Sequence, residues 1–129
     1  MNPTDLRYHE EHEWVRVKGT QATLGISHFA QDALGDIVFI ELPKVGASVK
    51  SGQQIGEVES TKTTSSIFTP ISGTVAQVNT ELKDHPEVVN TDPYGKGWMV
   101  VIDLSDPSQV EALMTAAQYD AFLATQKKG

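Results

Sequence analysis

Hydrophobic and polar residues alternate in short β-type segments over most of the chain, from residue 12 to 101. In residues 13–17, valines alternate with tryptophan and arginine, and a Gly-Thr break separates them from residues 22–26. Two segments in which apolar and polar residues alternate, separated by a glycine-containing break, predict a β-hairpin. Residues 36–42 form a denser apolar run that ends at Pro43, and this run predicts a strand buried on both faces.

Apolar residues at helical spacing predict three short helices. Ser27 can cap the first, over residues 28–34, because its hydroxyl can accept an N–H group of the first turn, and Gly35 ends it. Ser-Asp-Pro at residues 105–107 opens the second helix, and Thr115 starts the third. The apolar residues expected on these last two helices are Val110, Leu113, Met114, Ala116, Tyr119, Ala121, Phe122 and Leu123.

The composition excludes several classes of partner and site. The net charge is -7, and the only adjacent lysines are Lys127 and Lys128, so nucleic acid is not an expected partner. The lack of cysteine excludes disulfides, thiolate metal sites and cysteine nucleophiles. The N-terminus is polar, and no window approaches the roughly 18 apolar residues of a membrane span. We therefore expect a cytoplasmic bacterial protein, with a mature mitochondrial form as the alternative, and no membrane partner.

The signatures of common enzymes do not occur. Residues 9–13, HEEHE, resemble the HExxH helix of metalloproteases but have Glu13 where the second histidine is required. In extended backbone His9 and His12 would point to opposite faces and could not share a metal ion. We interpret the stretch as a solvated face, and predict neither a metal site nor a catalytic residue, since GxSxG, GxGxxG and P-loop strings are also missing.

The most informative segment is IGEVESTKTTSSIFTPISGTVAQV, residues 55–78. Two β-type stretches flank a cluster of serine and threonine centred on Lys62, which predicts a lysine projected into water from a hairpin tip. An exposed lysine is ordinarily only surface charge. A lysine nucleophile needs burial or a neighbouring cation, whereas Lys62 has Glu57 and Glu59 upstream. If Lys62 is functional, it is therefore a lysine that another enzyme modifies.

This segment carries a family resemblance. ESTKTTSSIFTPISGTV, residues 59–75, resembles the lipoylation hairpin of glycine cleavage system H-proteins, in which ESxKxxS leads into a strand and a P(I/V)SG turn. Four other family-like stretches follow the family's order, and the similarity covers about residues 8–123. These stretches are HEWVRV at 12–17, LGISHFAQDALGDIVFIELPKVG at 24–46, VNTDPYGKGWMVVI at 89–102, and a tyrosine-bearing helix around Tyr119.

The resemblance implies a fold, a cofactor and a set of site residues. The fold is mainly β, a barrel-sandwich hybrid of two antiparallel sheets with two C-terminal helices, in one carrier domain over residues 1–129 with its core at about 8–123. Lipoic acid is attached covalently to Lys62, and recognition for lipoylation involves a glutamate three residues before it and a glycine eleven after it. Glu13 and Ser66 are candidates for contacting the loaded arm, and an exposed strand carboxylate is the alternative for Glu13. The two recognition residues are Glu59 and Gly73.

The implied function is that of a non-catalytic carrier. It shuttles the aminomethyl group of glycine from the P-protein, glycine decarboxylase, to the T-protein, an aminomethyltransferase, and the L-protein, dihydrolipoamide dehydrogenase, reoxidises the arm. A lipoate-attaching enzyme is a further expected partner, and the carrier itself is expected to be a monomer.

Departures from the family pattern leave a second function open. Thr61, Thr63 and Thr64 stand where many relatives have valine and small alanines, and Ser66 stands where aspartate is frequent. The alternative is an H-like lipoyl-relay or binding partner that is not engaged in glycine breakdown. A biotin carrier fits less well, because its lysine lies between methionines. A lipoyl domain of a 2-oxo-acid dehydrogenase also fits less well, because it lacks DPYGKGW and the helical C-terminus.

Overall fold

The computed structural model describes residues 3–125, which form two antiparallel sheets. The strand order is β1-β2-β3-β9-β8-β5 in the six-stranded sheet and β4-β6-β7 in the three-stranded sheet. The strands are β1 (Arg7–Tyr8), β2 (Glu13–Lys18), β3 (Gln21–Ile26), β4 (Ile37–Glu41), β5 (Ser48–Val49), β6 (Gln54–Ser60), β7 (Thr64–Phe68), β8 (Gly73–Val78) and β9 (Val100–Leu104). The predicted mainly β class with two antiparallel sheets is confirmed.

Short helices fill the connections and the C-terminal part of the described chain. They are α1 (His28–Leu34), α2 (Glu81–Asp84), α3 (Val88–Thr91), α4 (Ser108–Glu111) and α5 (Ala116–Leu123). The helix over 28–34 and the two C-terminal helices were predicted, whereas α2 and α3 were not, since each is a single turn without a side-chain cap. No helix within residues 3–125 has the length and apolar character needed to cross a membrane.

The main core lies where aliphatic residues of both sheets meet. The β2–β3 hairpin pairs from Glu13 with Ile26 to Lys18 with Gln21, as its period of two predicted. Alternate residues of each strand are therefore directed into the same interior. Buried members of this core include Val15, Leu24, Ile26, Ile37, Ile40, Val58, Ile67, Val75, Val100 and Ile102.

The prediction that residues 36–42 form a strand buried on both faces is wrong. The strand is β4, but Val38 and Phe39 are 50% and 49% exposed. β4 lies at the edge of the three-stranded sheet, and its register with β6 shifts between Ile37 and Phe39, so two consecutive apolar residues reach the surface. From a run of apolar residues alone, such an irregular edge strand cannot be distinguished from a central strand.

The second predicted helix is shorter than its apolar pattern indicated. α4 ends at Glu111, and Leu113 and Met114 lie beyond it. Met114 instead exchanges backbone hydrogen bonds with Tyr8, its N–H donating at 2.9 Å and its carbonyl accepting at 2.8 Å. Pairing with a residue more than 100 positions away thus replaces the helical continuation. Ala121, expected on the apolar side of α5, is exposed.

A second, aromatic cluster attaches α5 to the six-stranded sheet. Its buried residues are Leu6, Tyr8, Trp14, Ala116 and Tyr119. The rings of Tyr8 and Tyr119 stack with centroids 4.6 Å apart and 2° between their planes. α5 begins with a capping box in which the side chains of Thr115 and Gln118 each accept the other residue's backbone N–H. The predicted start of this helix at Thr115 is confirmed.

Candidate functional site

Lys62 lies at the tip of the hairpin formed by β6 and β7, and it is exposed, as the sequence predicted. Ser60 organises the tip. Its N–H donates to the Thr63 carbonyl at 2.7 Å, and its Oγ accepts the N–H groups of Lys62 at 3.3 Å and Thr63 at 3.1 Å. The backbone that presents Lys62 is thus held by hydrogen bonds within the tip.

The tip also contacts the end of α1. The Thr61 N–H donates to the Asp36 carbonyl at 2.9 Å. A Cβ atom at Gly35 would lie 3.4 Å from Cε of Lys62, so the aliphatic part of the lysine passes close over this glycine. Gly35 has φ +84°, a left-handed conformation that ends α1 and favours glycine. The aliphatic part of Lys62 therefore passes within reach of the residue that ends the helix.

A cleft of about 390 Å³ lies between α1 and β7, next to this tip. Leu34, which precedes Gly35, and Thr64, two residues after Lys62, both line it. Glu13 and Ser66, the two candidate docking residues, also line it, so the fold brings them to one site. The remaining lining residues are Glu11, His12, Ile26, Phe29, Ala30, Ala33, Val58, Ser65, Ile67 and Phe68.

Glu13 is the buried charged group of this cleft. Only 1% of the residue is exposed, so the alternative of an exposed strand carboxylate is wrong. Oε1 lies 3.1 Å from His9 Nδ1, and Oε2 accepts the Phe68 N–H at 3.4 Å. Burial raises the pKa of Glu13, and the hydrogen bond and charge of His9 act in the opposite direction. The hydrogen bond to Glu13 in turn raises the pKa of His9.

The HEEHE stretch is a tight turn whose Glu10 and Glu11 are exposed, as a solvated face predicts, whereas His9 and His12 are half-buried and Glu13 is buried. The His12 N–H donates to the His9 carbonyl at 2.8 Å, and His12 has φ +72°, which is uncommon outside glycine. Its carbonyl accepts the Ser27 N–H at 2.8 Å, and its Nδ1 lies 2.8 Å from the Tyr119 hydroxyl. The turn places His9 beside Glu13. This pairing could not be predicted from a strand in which side chains alternate between two faces.

No group of three or more histidine, aspartate or glutamate side chains within residues 3–125 is arranged to hold a metal ion.

The two predicted recognition residues lie in different sheets. Glu59 is exposed on β6 and pairs with Thr64 across the hairpin that carries Lys62. Gly73 begins β8 in the six-stranded sheet, where a Cβ atom would overlap the Asp103 carbonyl oxygen. Gly73 thus has a packing reason of its own to be glycine, and its part in recognition stays a prediction.

The loop that contains Pro93 and Tyr94, between α3 and β9, is hydrogen-bonded both to β2 and to the start of α1, one wall of the cleft. Trp14 Nε1 donates to the Pro93 carbonyl at 3.0 Å, and Arg16 donates to the Tyr94 carbonyl at 2.9 Å. The Tyr94 hydroxyl accepts the N–H of His28, the first residue of α1, at 2.9 Å. The sequence strings that contain these residues resemble the family, but their support of α1 could not be predicted, because the contacts join residues more than 60 positions apart.

Comparison with known proteins decides the family. The family model described as glycine cleavage H-protein matches residues 6–126. A glycine cleavage system H protein of Bacillus subtilis (strain 168) is 58% identical over 118 residues, which cover 92% of this chain and 93% of the relative. The chain belongs to the glycine cleavage H-protein family. Members of this family are lipoyl carriers of the glycine cleavage system, not catalysts.

Other relatives agree with the family assignment. A glycine cleavage system H protein of Myxococcus xanthus (strain DK1622) is 54% identical over 121 residues, 94% of each chain. The crystal structure of a glycine cleavage system H protein from Mycobacterium marinum superposes with a TM-score of 0.87 at 40% identity, covering 95% of this chain and 98% of that one. The similarity therefore includes the whole fold around the cleft.

Proposed function

We propose that this chain carries a lipoyl group on Lys62 and shuttles the aminomethyl group of glycine from the P-protein, glycine decarboxylase, to the T-protein, an aminomethyltransferase. Its further partners are the L-protein, dihydrolipoamide dehydrogenase, and a lipoate-attaching enzyme. The supporting observation is an exposed lysine on an ordered tip beside a cleft with a buried carboxylate. When attached, the lipoyl group supplies a disulfide that accepts the aminomethyl group and a dithiol that is later reoxidised.

The residues of the cleft fit such a group. Phe29, Leu34 and Phe68 are half-buried and offer apolar surface to a hydrocarbon arm. Glu13 offers a negative charge to a cargo amine, and the Ser66 hydroxyl can accept or donate a hydrogen bond. The volume of about 390 Å³ falls within the range of small-molecule sites. The chain itself therefore shields and orients, whereas its partner enzymes catalyse.

Tethering explains how a carrier without catalytic residues can control the reaction. An arm fixed to Lys62 is present at an effective concentration of roughly millimolar in each docked partner. The hydrogen bonds of Ser60 and the contact of Thr61 with Asp36 hold the base of the arm in one position. The partner enzymes thus meet the cargo at a defined distance from the folded body.

The attachment site can be tested by mass measurement. The chain is expressed with lipoate and a lipoate-attaching enzyme, and its intact mass and peptides are determined. Wild type should gain one lipoyl group and Lys62→Ala none. Lys50→Ala is the control, because Lys50 is an exposed lysine in the connection between β5 and β6. Modification of Lys62→Ala, or of a different lysine in wild type, would contradict the proposal.

The docking role of Glu13 can be tested by the lifetime of the loaded carrier. Glu13→Ala removes the charge that faces the cargo amine, and hydrolysis should become roughly 10-fold faster or more, because a hydrogen bond to a charged group is lost. Ser66→Ala should have a smaller effect, and Glu81→Ala, which alters an exposed carboxylate on α2, should have none. An unchanged hydrolysis rate in Glu13→Ala would remove Glu13 from the docking site.

Three broader features are proposed with this function. We infer a cytoplasmic location, a monomeric carrier and a single carrier domain over residues 1–129, with a mature mitochondrial form as the alternative location. The bacterial relatives support the first of these. A lipoyl group exposed on one small domain suits a carrier that visits several enzymes in turn.

A further inference from the structure

We propose that His9 is a positioning residue for Glu13: its Nδ1–H group holds the Glu13 carboxylate ionised and oriented toward the cleft. This inference rests on the docking role proposed for Glu13 and names the group that prepares it. His9 does not line the cleft, and it acts through the carboxylate.

The contacts of His9 Nδ1 specify which atom carries the proton. Nδ1 lies 3.1 Å from Oε1 of Glu13 and 3.2 Å from the backbone N of Glu11. A protonated Nδ1 can donate to Glu13, whereas an unprotonated Nδ1 can only accept from Glu11, so the two hydrogen bonds exclude each other. The Glu11 N–H is exposed and can bond to water, but Glu13 is buried. Protonation of Nδ1 therefore leaves no buried group without a partner.

The other hydrogen bonds to the carboxylate come from backbone N–H groups, those of Phe68 and of Glu13 itself. Oε2 of Glu13 accepts the Phe68 N–H at 3.4 Å, near the limit of a hydrogen bond. Without His9, a carboxylate that is 98% buried at its side chain would keep only these backbone contacts among those that the structure describes. An ionised carboxylate in that environment is costly, so it would take up a proton and lose its attraction for an amine.

The carboxylates around His9 favour its protonated form. The hydrogen bond to Glu13 raises the pKa of His9 most, burial acts against it, and the charges of Glu13, Glu10 and Glu11 raise the pKa further. The other titratable groups facing the pair are His12, which neighbours His9 on the turn, and Tyr119 of α5. His9 thus keeps its charge to higher pH than an isolated histidine, and its neutral form can still donate from Nδ1.

The first experiment uses the unmodified chain. Glutamate carboxyl groups are labelled with carbon-13 and histidine with nitrogen-15, and both are titrated by NMR. His9→Leu should raise the pKa of Glu13, and His9→Asn should bring it back toward wild type, because Asn Nδ2 lies two bonds from Cβ as Nδ1 does. Neutral His9 should carry its proton on Nδ1. His85→Leu is the control, since His85 forms an exposed pair with Glu87 at 3.3 Å.

The second experiment uses the lipoylated, loaded chain. His9→Leu should shorten the lifetime of the loaded form roughly 3- to 10-fold, and His9→Asn should stay within about twofold of wild type. His85→Leu should leave the lifetime unchanged. Rescue by asparagine distinguishes a lost donor from a general loss of packing.

The outcomes separate this inference from the docking proposal. A Glu13 titration that is the same in wild type and His9→Leu, or a neutral His9 protonated on Nε2, overturns the positioning role. A shorter lifetime in Glu13→Ala together with an unchanged lifetime in His9→Leu also overturns it. An unchanged lifetime in Glu13→Ala overturns the docking role instead, and the titration of the unmodified chain still decides whether His9 controls Glu13.

Discussion

At the scale of single residues, His12 combines an unfavourable backbone with favourable contacts. A left-handed conformation costs most L-residues about 1–2 kcal/mol. The hydrogen bonds of its N–H to His9 and of its carbonyl to Ser27, with the contact between Nδ1 and Tyr119, offset that cost. The turn that results directs Glu13 into the protein at the first position of β2. The cleft's buried carboxylate therefore depends on its neighbour's backbone.

Substitution of His12 tests this interpretation. His12→Ala should lower the free energy of unfolding by about 1–3 kcal/mol, because the Tyr119 contact is lost and alanine tolerates a left-handed backbone poorly. His12→Asn should cost less, since asparagine is several-fold enriched in that conformation. Urea unfolding at neutral pH measures both values, and equal losses would show that the backbone conformation is not the cause.

The same variants carry a pH signature. Burial lowers the pKa of His12 below its usual value of 6.5, so its contribution to stability is present above pH 6.5 and is lost as the pH falls through the lowered pKa. His12→Asn cannot be protonated there. Its stability relative to wild type should therefore improve as the pH is lowered from 6.5, and a pH-independent difference would contradict this sign.

Residue-level prediction succeeded where the determining contacts are local. The Ser27 and Thr115 caps and the exposure of Lys62 depend on residues within a few positions, and the structure agrees with all three. The burial of Glu13 depends on Phe68 and on the turn closed by Ser27. Such distant partners leave no periodic signal in the sequence, so the environment of this carboxylate could not be predicted.

At the scale of elements, the β6–β7 hairpin is the part that presents the modified residue. Threonines at its tip suit an extended backbone, and the departures at Thr61, Thr63 and Thr64 leave the hairpin intact, with β6 and β7 paired as far as Glu59 and Thr64. Order at the tip comes from Ser60, which accepts two backbone N–H groups. The element thus offers a fixed base for a mobile arm.

Ser60→Ala should loosen the tip without unfolding the protein. Hydrogen exchange of the Lys62 and Thr63 amides should become faster, because both lose their acceptor, and attachment of lipoate should slow. Ser48→Ala, an exposed change on β5, should leave these amides unaffected. Unchanged exchange at Lys62 and Thr63 in Ser60→Ala would show that the side chain does not order the tip.

The errors at this scale share one physical origin. β4 was expected to be buried on both faces and α4 was expected to continue, but the position of β4 at a sheet edge and the pairing of Met114 with Tyr8 prevent both. Apolar periodicity reports which residues prefer burial, but sheet order and the pairing of Met114 with Tyr8 decide where the chain can place them. The hairpins, whose strands are neighbours in sequence, were predicted well.

At the scale of the whole molecule, two packing units meet around the cleft. The aliphatic core holds the two sheets together, and the aromatic cluster holds α5 against β1 and β2. Tyr119 connects these regions, since its hydroxyl lies 2.7 Å from Ser27 Oγ at the start of α1. The Tyr94 hydroxyl accepts the N–H of His28 at the same end of α1. The α1 wall of the cleft is therefore fixed by contacts with distant parts of the chain.

The central claim is that Lys62 bears the arm of a working glycine cleavage carrier. The most direct measurement is the exchange of labelled bicarbonate into the carboxyl group of glycine by purified glycine decarboxylase. Lipoylated wild type should support this exchange, whereas the unlipoylated chain and Lys62→Ala should not. Exchange that is equal with and without the lipoyl group, or absent with fully lipoylated wild type, would contradict the claim, and the second result would favour a lipoyl-relay partner outside glycine breakdown.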